Sequence, residues 1–202
     1  GPRCTRACRF CAVESGPPES LAPDEPARVA RAVERLRLRH AVITSVTRDD
    51  LADGGAKHFA ATVAAVRARN PATTVEILVP DFAGDEASWR IAAEARPDVF
   101  NHNVETGRRL YPRVRPEADY DRSLRLLAFV REHYPETATK SGLMMGLGET
   151  DDEVLEVAAD LRRAGVDMIT VGQYLCPNPR THLPVERFVP PATFEVLERR
   201  IA

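Results

Sequence analysis

Three of the four cysteines stand within eight residues near the start of the sequence, as Cys4, Cys8 and Cys11. Soft thiolates this close together are typical ligands of iron–sulfur clusters, in which each iron takes one cysteine. Because a cubane cluster has four irons, three cysteines leave one iron free to bind another molecule. The spacing therefore favours a [4Fe-4S] cluster with an open iron.

A zinc site and a purely structural role are the alternatives for these three cysteines. A structural zinc ion needs a fourth ligand nearby, and the next histidine after Cys11 is His40, while Cys176 lies far downstream. Three neighbouring thiols cannot all pair in disulfides, so at least one would remain free. The spacing alone leaves both alternatives open.

The elements that must position this loop alternate regularly along the chain. Residues 1–15 read as a loop, and capping-box residues Thr150 and Glu153 mark the start of one of the helices. β-Branched and apolar runs predict five strands, at residues 40–46, 75–79, 99–104, 138–145 and 168–171. Strand–helix alternation implies parallel pairing with right-handed crossovers. The sequence thus predicts a single α/β domain over residues 1–202, built as an open sheet or a partial barrel.

Polar residues and glycines follow the predicted strands, at the edge where parallel α/β folds bind ligands. The set comprises Ser45, Thr47, Arg48, Asp49, Asp50, Asn103, Glu105, Gly146, Gly148, Glu149, Gln173 and Tyr174. We expect these residues to converge on one face. Lys140 lies inside an apolar strand, where an unpaired ammonium is unfavourable. We expect it to act toward a cofactor or neighbouring acids, with a purely structural ion pair as the alternative.

Several motifs resemble those of the lipoyl synthase family of radical S-adenosylmethionine enzymes, and they occur in the same order. They are Cys4-Thr5-Arg6 with Cys8-Arg9-Phe10-Cys11, then residues 42–51, 53–56, 101–106, 140–144, 146–150 and 172–175. The resemblance covers nearly the whole chain. It implies a partial (β/α)6 TIM-type barrel whose first strand, leading into the cysteines, is largely missing here.

The resemblance also assigns roles to individual residues. It implies that Cys4, Cys8 and Cys11 hold the cluster, whose open iron binds S-adenosyl-L-methionine. Thr47 and Asp49 would orient the amino group of that cofactor, Glu105 would accept hydrogen bonds from its ribose hydroxyls, and the stretch Gly142-x-Met144-x-Gly146-x-x-Glu149 would let the backbone approach its adenine. The remaining residues assigned to cofactor binding are Asn103, Lys140 and Gln173. A local hydrogen-bonding role is the alternative for each.

The family's reaction inserts sulfur at C6 and C8 of an octanoyl group attached to a carrier protein. The implied partners are an octanoylated carrier, either the glycine cleavage H protein or a lipoyl domain of a 2-oxoacid dehydrogenase, and an electron donor such as flavodoxin or ferredoxin. The family's auxiliary [4Fe-4S] cluster needs three further cysteines, and only Cys176 remains. We therefore expect this chain to be an incomplete lipoyl synthase. Another radical S-adenosylmethionine enzyme on the same scaffold and a non-catalytic metal-binding domain are the alternatives.

Charge and hydropathy exclude some other classes of protein. The net charge of −2 argues against a nucleic-acid-binding surface. No apolar run reaches the roughly 18 residues that a membrane span requires. A thiolate-ligated cluster needs a reducing compartment, so we expect a cytoplasmic protein. A transit peptide preceding the chain stays open, because the sequence begins only three residues before its first ligand.

Overall fold

Five parallel strands form the sheet on which the fold is built, and each strand pairs with the next one along the chain. The computed structural model describes residues 1–201, so Ala202, the last residue of the predicted domain, lies outside the described residues. The strands are β3 (His40–Thr44), β4 (Thr74–Leu78), β5 (Val99–Asn101), β6 (Ala138–Met145) and β7 (Met168–Gln173). The predicted parallel α/β architecture is confirmed.

Helices connect the strands and cover one face of the sheet. They are α1 (Glu25–Leu36), α2 (Ala56–Arg69), α3 (Glu86–Glu94), α4 (Tyr111–Val114), α5 (Tyr120–His133), α6 (Asp151–Arg163) and α7 (Pro191–Ile201). The predicted capping box starts α6: the Glu153 amide donates to Thr150 Oγ1 at 3.2 Å, and the Thr150 amide donates to Glu153 Oε2 at 2.8 Å. Both contacts satisfy amides that the helix itself leaves unpaired.

The core lies between the sheet and the helices. Alternate strand residues point to opposite faces, and Ile77 of β4 and Phe100 of β5 are fully buried among side chains of α2, α3 and α5. Leu143 and Met145 of β6 bury a second cluster with α5, α6 and α7. On the opposite face, β4, β5 and β6 carry the polar residues Glu76, Asn101 and Lys140, which hydrogen-bond to one another.

Two local predictions were wrong in detail. The predicted loop over residues 1–15 contains two short parallel strands, β1 (Arg3–Cys4) and β2 (Glu14–Ser15), which the Gly16 amide extends by donating to the Cys4 carbonyl at 3.0 Å. Strand β5 ends at Asn101 rather than at residue 104; beyond it, Glu105, with φ of 67°, forms an isolated bridge to Leu143 of β6. Tertiary contacts between segments distant in sequence decide both, and local patterns do not record them.

Candidate active site

A cavity of about 580 Å³ opens at the carboxyl edge of the sheet. One wall consists of residues that follow neighbouring strands: Thr47 and Arg48 after β3, Val79 and Pro80 after β4, and His102, Asn103 and Glu105 after β5. The cysteine loop, residues 4–11, contributes Cys4, Arg6, Cys8, Phe10 and Cys11 to the lining, and Arg115, directly after α4, lines the cavity as well. The cavity therefore lies where parallel α/β folds bind their ligands.

All three clustered cysteines face this cavity. Cys4, Cys8 and Cys11 line it, are half-buried, and carry free thiols. Within residues 1–201, no three His, Cys, Asp or Glu side chains converge on one point as a single-ion site requires. A cubane cluster instead takes one cysteine at each of several separate irons. Three free thiols on the lining of one cavity are a ligand set that such a cluster can use.

The cysteine loop is fixed to the end of β3 by backbone and side-chain hydrogen bonds. The Thr5 amide and hydroxyl both donate to the Thr47 carbonyl, at 3.2 and 3.1 Å. In return, the Thr47 amide donates to Cys4 Sγ at 3.3 Å, as the Arg6 amide does at 3.5 Å. Hydrogen bonds to a thiolate sulfur stabilise its charge and tune an attached cluster. Thr47, predicted to touch the cofactor, thus contacts a cysteine sulfur directly.

Two further segments hold the other end of the loop. The Arg9 amide donates to the Val114 carbonyl at 2.8 Å, and the Leu183 amide donates to the Arg9 carbonyl at 3.1 Å. His182 Nε2 donates to the Cys11 carbonyl at 3.0 Å. The spacing of His182 in the sequence does not indicate a ligand. It contacts the cysteine loop because the chain after β7 folds back across that loop.

A buried ion-pair network lies beneath the loop. Arg6 Nε and Nη2 donate to the two carboxylate oxygens of Asp49 at 2.7 and 3.0 Å, and Nη2 also donates to Asp81 Oδ1 at 2.6 Å. Arg122 Nη1 donates to the other Asp81 oxygen at 3.2 Å. Neither Arg6 nor Asp81 was among the predicted site residues, and no strand-end pattern or motif spacing pairs them.

Glu105, Asn103 and Arg115 form a polar group deeper in the cavity. Glu105 joins the end of β5 to β6: its amide donates to the Gly142 carbonyl at 2.9 Å, and its carbonyl accepts from the Met144 amide at 2.9 Å. Burial raises the pKa of Glu105, although Arg115 and Asn103 oppose the shift. The left-handed backbone of Glu105 is unusual for a residue with a side chain, and such strain is often found at functional sites.

Arg115 is a cavity residue that sequence reasoning missed. It is buried, its Nη1 donates to the Asn103 carbonyl at 2.9 Å, and its Nε has no hydrogen-bond partner within the described chain. Burial raises the pKa of the Cys8 thiol to about 11, and the Arg115 charge opposes that shift. A buried guanidinium with an unused donor beside three thiols suits an anionic ligand. Its place after α4, away from any strand end, explains why no pattern indicated it.

Five of the eight residues assigned to cofactor binding do not line the cavity: Asp49, Lys140, Gly146, Glu149 and Gln173. Both Asp49 oxygens accept from Arg6. Lys140 Nζ donates to Glu76 Oε1 at 3.0 Å and to Oε2 at 3.3 Å, so the expected carboxylate partner is present. These two predicted residues make ion pairs, and their contact with a cofactor stays a prediction.

The other three residues of this set build the turn after β6. The Glu149 carboxylate accepts from the amides of Gly146 and Leu147, the latter at 2.9 Å. Gln173 Nε2 donates to the carbonyls of Met145 and Arg187, at 3.1 and 3.2 Å. The turn therefore ties β6, the end of β7 and the segment before α7 together.

Two residues outside the predicted site have structural roles. His102 is fully buried, and its Nδ1 donates to the Val79 carbonyl at 2.8 Å while its Nε2 accepts from Ser123 at 2.9 Å. Burial lowers the pKa of His102 to about 4, so the ring is neutral at ordinary pH. Cys176 is half-buried against the cluster of Leu110, Leu147 and Tyr174.

The described residues contain no helix that is both long and apolar enough to cross a membrane.

Comparison with known proteins identifies the class. A sequence profile of the Radical SAM superfamily matches residues 1–161. The crystal structure of Streptococcus suis SuiB bound to S-adenosylmethionine shares the fold, with a TM-score of 0.75 at 13% identity over 99% of this chain and 44% of that one. The cysteine loop, the parallel sheet and the profile together define a radical S-adenosylmethionine enzyme.

Two relatives narrow the class to one family. A lipoyl synthase of Caldanaerobacter subterraneus subsp. tengcongensis is 58% identical over 195 residues, which cover 96% of this chain and 68% of the relative. A lipoyl synthase of Thermus thermophilus is 53% identical over 200 residues, which cover 98% of this chain and 62% of the relative. The chain belongs to the lipoyl synthase family. It spans about two thirds of the length of these relatives.

Proposed function

We propose that this chain is the catalytic core of a lipoyl synthase, which inserts sulfur at C6 and C8 of a protein-bound octanoyl group. The observation that carries the proposal is the presence of Cys4, Cys8 and Cys11 on the wall of one cavity at the carboxyl edge of the sheet. The 58% identity to a lipoyl synthase supports it. Because the chain matches only part of its relatives' length, the complete reaction is a proposal for the whole protein.

The residues present fit the two cofactors that the family implies. The three free thiols supply one ligand for each of three irons of a [4Fe-4S] cluster and leave the fourth iron for S-adenosyl-L-methionine. When bound, these groups together supply a one-electron cleavage that yields a carbon radical able to take hydrogen from an unactivated C–H bond. The protein's part is to hold, orient and exclude water.

The cavity residues divide the binding of S-adenosyl-L-methionine by charge. Arg115 offers its unused Nε to the carboxylate of the methionine part. Glu105 accepts hydrogen bonds from the ribose hydroxyls, and Asn103, which also lines the cavity, adds a neutral donor and acceptor beside it. Thr47, whose amide donates to Cys4 Sγ, would orient the amino group of the methionine part. Backbone contacts hold Thr47 and Glu105 at their strand ends, and Arg115 is held by its hydrogen bond to the Asn103 carbonyl, so the site is formed before the ligand arrives.

The remaining predicted residues act on the cofactor from a distance. Asp49 does so through Arg6, and Lys140 through its ion pair with Glu76. Gly146, Glu149 and Gln173 shape the turn that borders the adenine. The ion pairs and hydrogen bonds of these residues support a positioning role, and their direct contact with the cofactor stays a prediction.

Sulfur insertion itself requires an auxiliary [4Fe-4S] cluster, for which this chain has only Cys176 left. We therefore propose that these 202 residues by themselves cleave S-adenosyl-L-methionine without completing sulfur insertion. The proposed partners are an octanoylated glycine cleavage H protein or lipoyl domain, and flavodoxin or ferredoxin as electron donor. The proposed compartment is the cytoplasm, since all four cysteines are free and a thiolate-ligated cluster needs reducing conditions.

Anaerobic reconstitution with iron and sulfide tests the proposal. We expect about four irons per chain, a spectrum that shifts when S-adenosyl-L-methionine is added, and formation of 5′-deoxyadenosine under a chemical reductant. Cys8→Ser should lose the bound iron, and Cys176→Ser is the matched control that should keep it. Retained zinc in place of iron, or equal loss from both variants, would overturn the proposal.

Adding an octanoylated carrier separates lipoyl synthase from other radical enzymes on this scaffold. We expect the carrier to increase 5′-deoxyadenosine formation relative to the same carrier without its octanoyl group. No increase would point to a different substrate. Detection of lipoylated carrier from this chain alone would contradict the proposal that its sulfur insertion is incomplete.

A further inference from the structure

Arg6 lies inside the cysteine loop, but its side chain points away from solvent. It stands between Cys4 and Cys8, and only 4% of its side chain is exposed. Its backbone is held as well, since its amide donates to Cys4 Sγ at 3.5 Å and its carbonyl accepts from Ser15 Oγ at 3.0 Å. The side chain therefore links the first turn of the loop to residues that follow the strands of the sheet.

The Arg6 guanidinium bridges two strand ends. Asp49 follows β3 and is 33% exposed, whereas Asp81 follows β4 and is completely buried. Three hydrogen bonds of 2.6 to 3.0 Å join the fork to both carboxylates. A planar guanidinium meets this geometry with several donors at fixed angles, which the single ammonium of a lysine cannot reproduce.

The network around Asp81 balances its own charge. Asp81 pairs with both Arg6 and Arg122, and Asp49 pairs with Arg6. The network therefore contains two positive and two negative groups. Burial would raise the pKa of Asp81, but Arg6 holds that pKa below its ordinary range. The Asp81 backbone is fixed as well, since its carbonyl accepts from Trp89 Nε1 at 2.9 Å. The anchor under the loop is thus itself rigid.

We propose that Arg6 is the positioning residue of the cysteine loop: its bridge to Asp49 and Asp81 fixes where Cys4 and Cys8 stand relative to the sheet. The inference rests on the proposed function, in which these cysteines hold a cluster. Arg6 touches neither substrate nor cofactor in this role. It acts through the loop backbone and keeps the thiols spaced for ligation before the cluster assembles.

Arg6→Lys is the main test, because it keeps the buried charge and avoids an unpaired Asp81. Loss of a charged hydrogen bond from the fork should speed iron release to a chelator by about tenfold. In the metal-free protein, amides of residues 5–9 should exchange with deuterated solvent faster by a similar factor, while amides of β5 should not change. Asp49→Asn, which removes one arm of the bridge, should give a smaller change in the same direction.

Arg108→Lys is the matched control. Arg108 makes a two-pronged contact with Asp121, at 2.6 and 2.7 Å, on an exposed surface away from the cavity. We expect this variant to behave as the unaltered protein in both measurements. If Arg6→Lys did the same, or if its exchange rose equally in the loop and in β5, the positioning role would be refuted.

The two measurements separate this inference from the proposed function. Exchange in the metal-free protein reports on the loop whether or not a cluster can be formed. If the unaltered protein binds no iron, the proposed function fails while the exchange result still tests the bridge. If iron binds normally and Arg6→Lys changes neither measurement, only the inference about Arg6 fails.

Discussion

Gly146 is expected to contribute to the free energy of unfolding, independently of any cofactor. Its φ is +107°, a value that residues with side chains rarely adopt. A Cβ added there would lie 2.5 Å from Gln173 Nε2 and 2.6 Å from the Arg187 carbonyl oxygen. The carbonyl belongs to the backbone, so it cannot rotate away. Gly146→Ala must therefore displace the segment before α7.

The size of the effect follows from these contacts. A side chain in this region of φ costs about 1–3 kcal/mol. The displaced segment also loses hydrogen bonds, among them the Glu186 amide to the Gly146 carbonyl at 2.8 Å and Gln173 to the Arg187 carbonyl at 3.2 Å. Each such bond contributes about 1 kcal/mol. We expect Gly146→Ala to lower the free energy of unfolding by about 3 kcal/mol and the melting temperature by about 10 °C.

Urea denaturation of the reduced, metal-free protein is the assay, with Gly172→Ala as the matched control. Gly172 lies near the carboxyl end of β7, and apart from its chain neighbours no atom of the described residues lies within 4 Å of its added Cβ. Alanine is intrinsically favoured over glycine in a strand, so the control should be neutral or slightly stabilised. Equal denaturation midpoints for the two variants would refute the reasoning. The turn would then need glycine only for the approach of adenine.

Two further predictions concern the cavity wall. Because burial raises the pKa of Glu105, the folded state loses stability as pH rises from the ordinary pKa of a glutamate, about 4.3, to the raised pKa. In urea titrations, Glu105→Gln should therefore be more stable than the unaltered apoprotein at neutral pH and equally stable at about pH 4. The variant should also bind S-adenosyl-L-methionine more weakly. Equal stability at both pH values would contradict the predicted direction of the pKa shift. A Cβ on Gly142 would lie 2.7 Å from Thr170 Oγ1 and 2.9 Å from Asn103 Oδ1, both ends of side chains that can rotate. Gly142→Ala should change stability by less than about 1 kcal/mol but weaken cofactor binding in a calorimetric titration, and unchanged affinity would remove Asn103 from the site.

The sequence predicted the framework of the site because that part depends on local regularities. Five apolar runs separated by amphipathic stretches indicated the parallel sheet, and the capping box located the start of α6. The rule that ligands bind at strand ends then selected Thr47, Asn103 and Glu105, which do line the cavity. The same rule also selected Gln173 and Glu149, whose polar atoms turn to neighbouring backbone instead.

Three of the residues that sequence reasoning missed, Arg6, Asp81 and His182, have partners that lie far away along the chain. Arg6 and Asp81 are 75 positions apart, and His182 contacts Cys11 across 171 positions. Arg115 gains its place from the short helix α4 and from the Asn103 carbonyl. No periodicity connects such positions, because no repeating backbone geometry does.

The sequence by itself therefore determined three features: three cysteines with cluster spacing, a parallel α/β scaffold, and polar groups at the carboxyl edge of that scaffold. Only the tertiary structure decided which of those groups face the cavity and what holds the cysteine loop there. The physical reason is that side-chain orientation at a strand end depends on which neighbours satisfy its hydrogen bonds. Lys140 pairs with Glu76 and Asp49 pairs with Arg6, whereas Glu105 and Arg115 line the cavity.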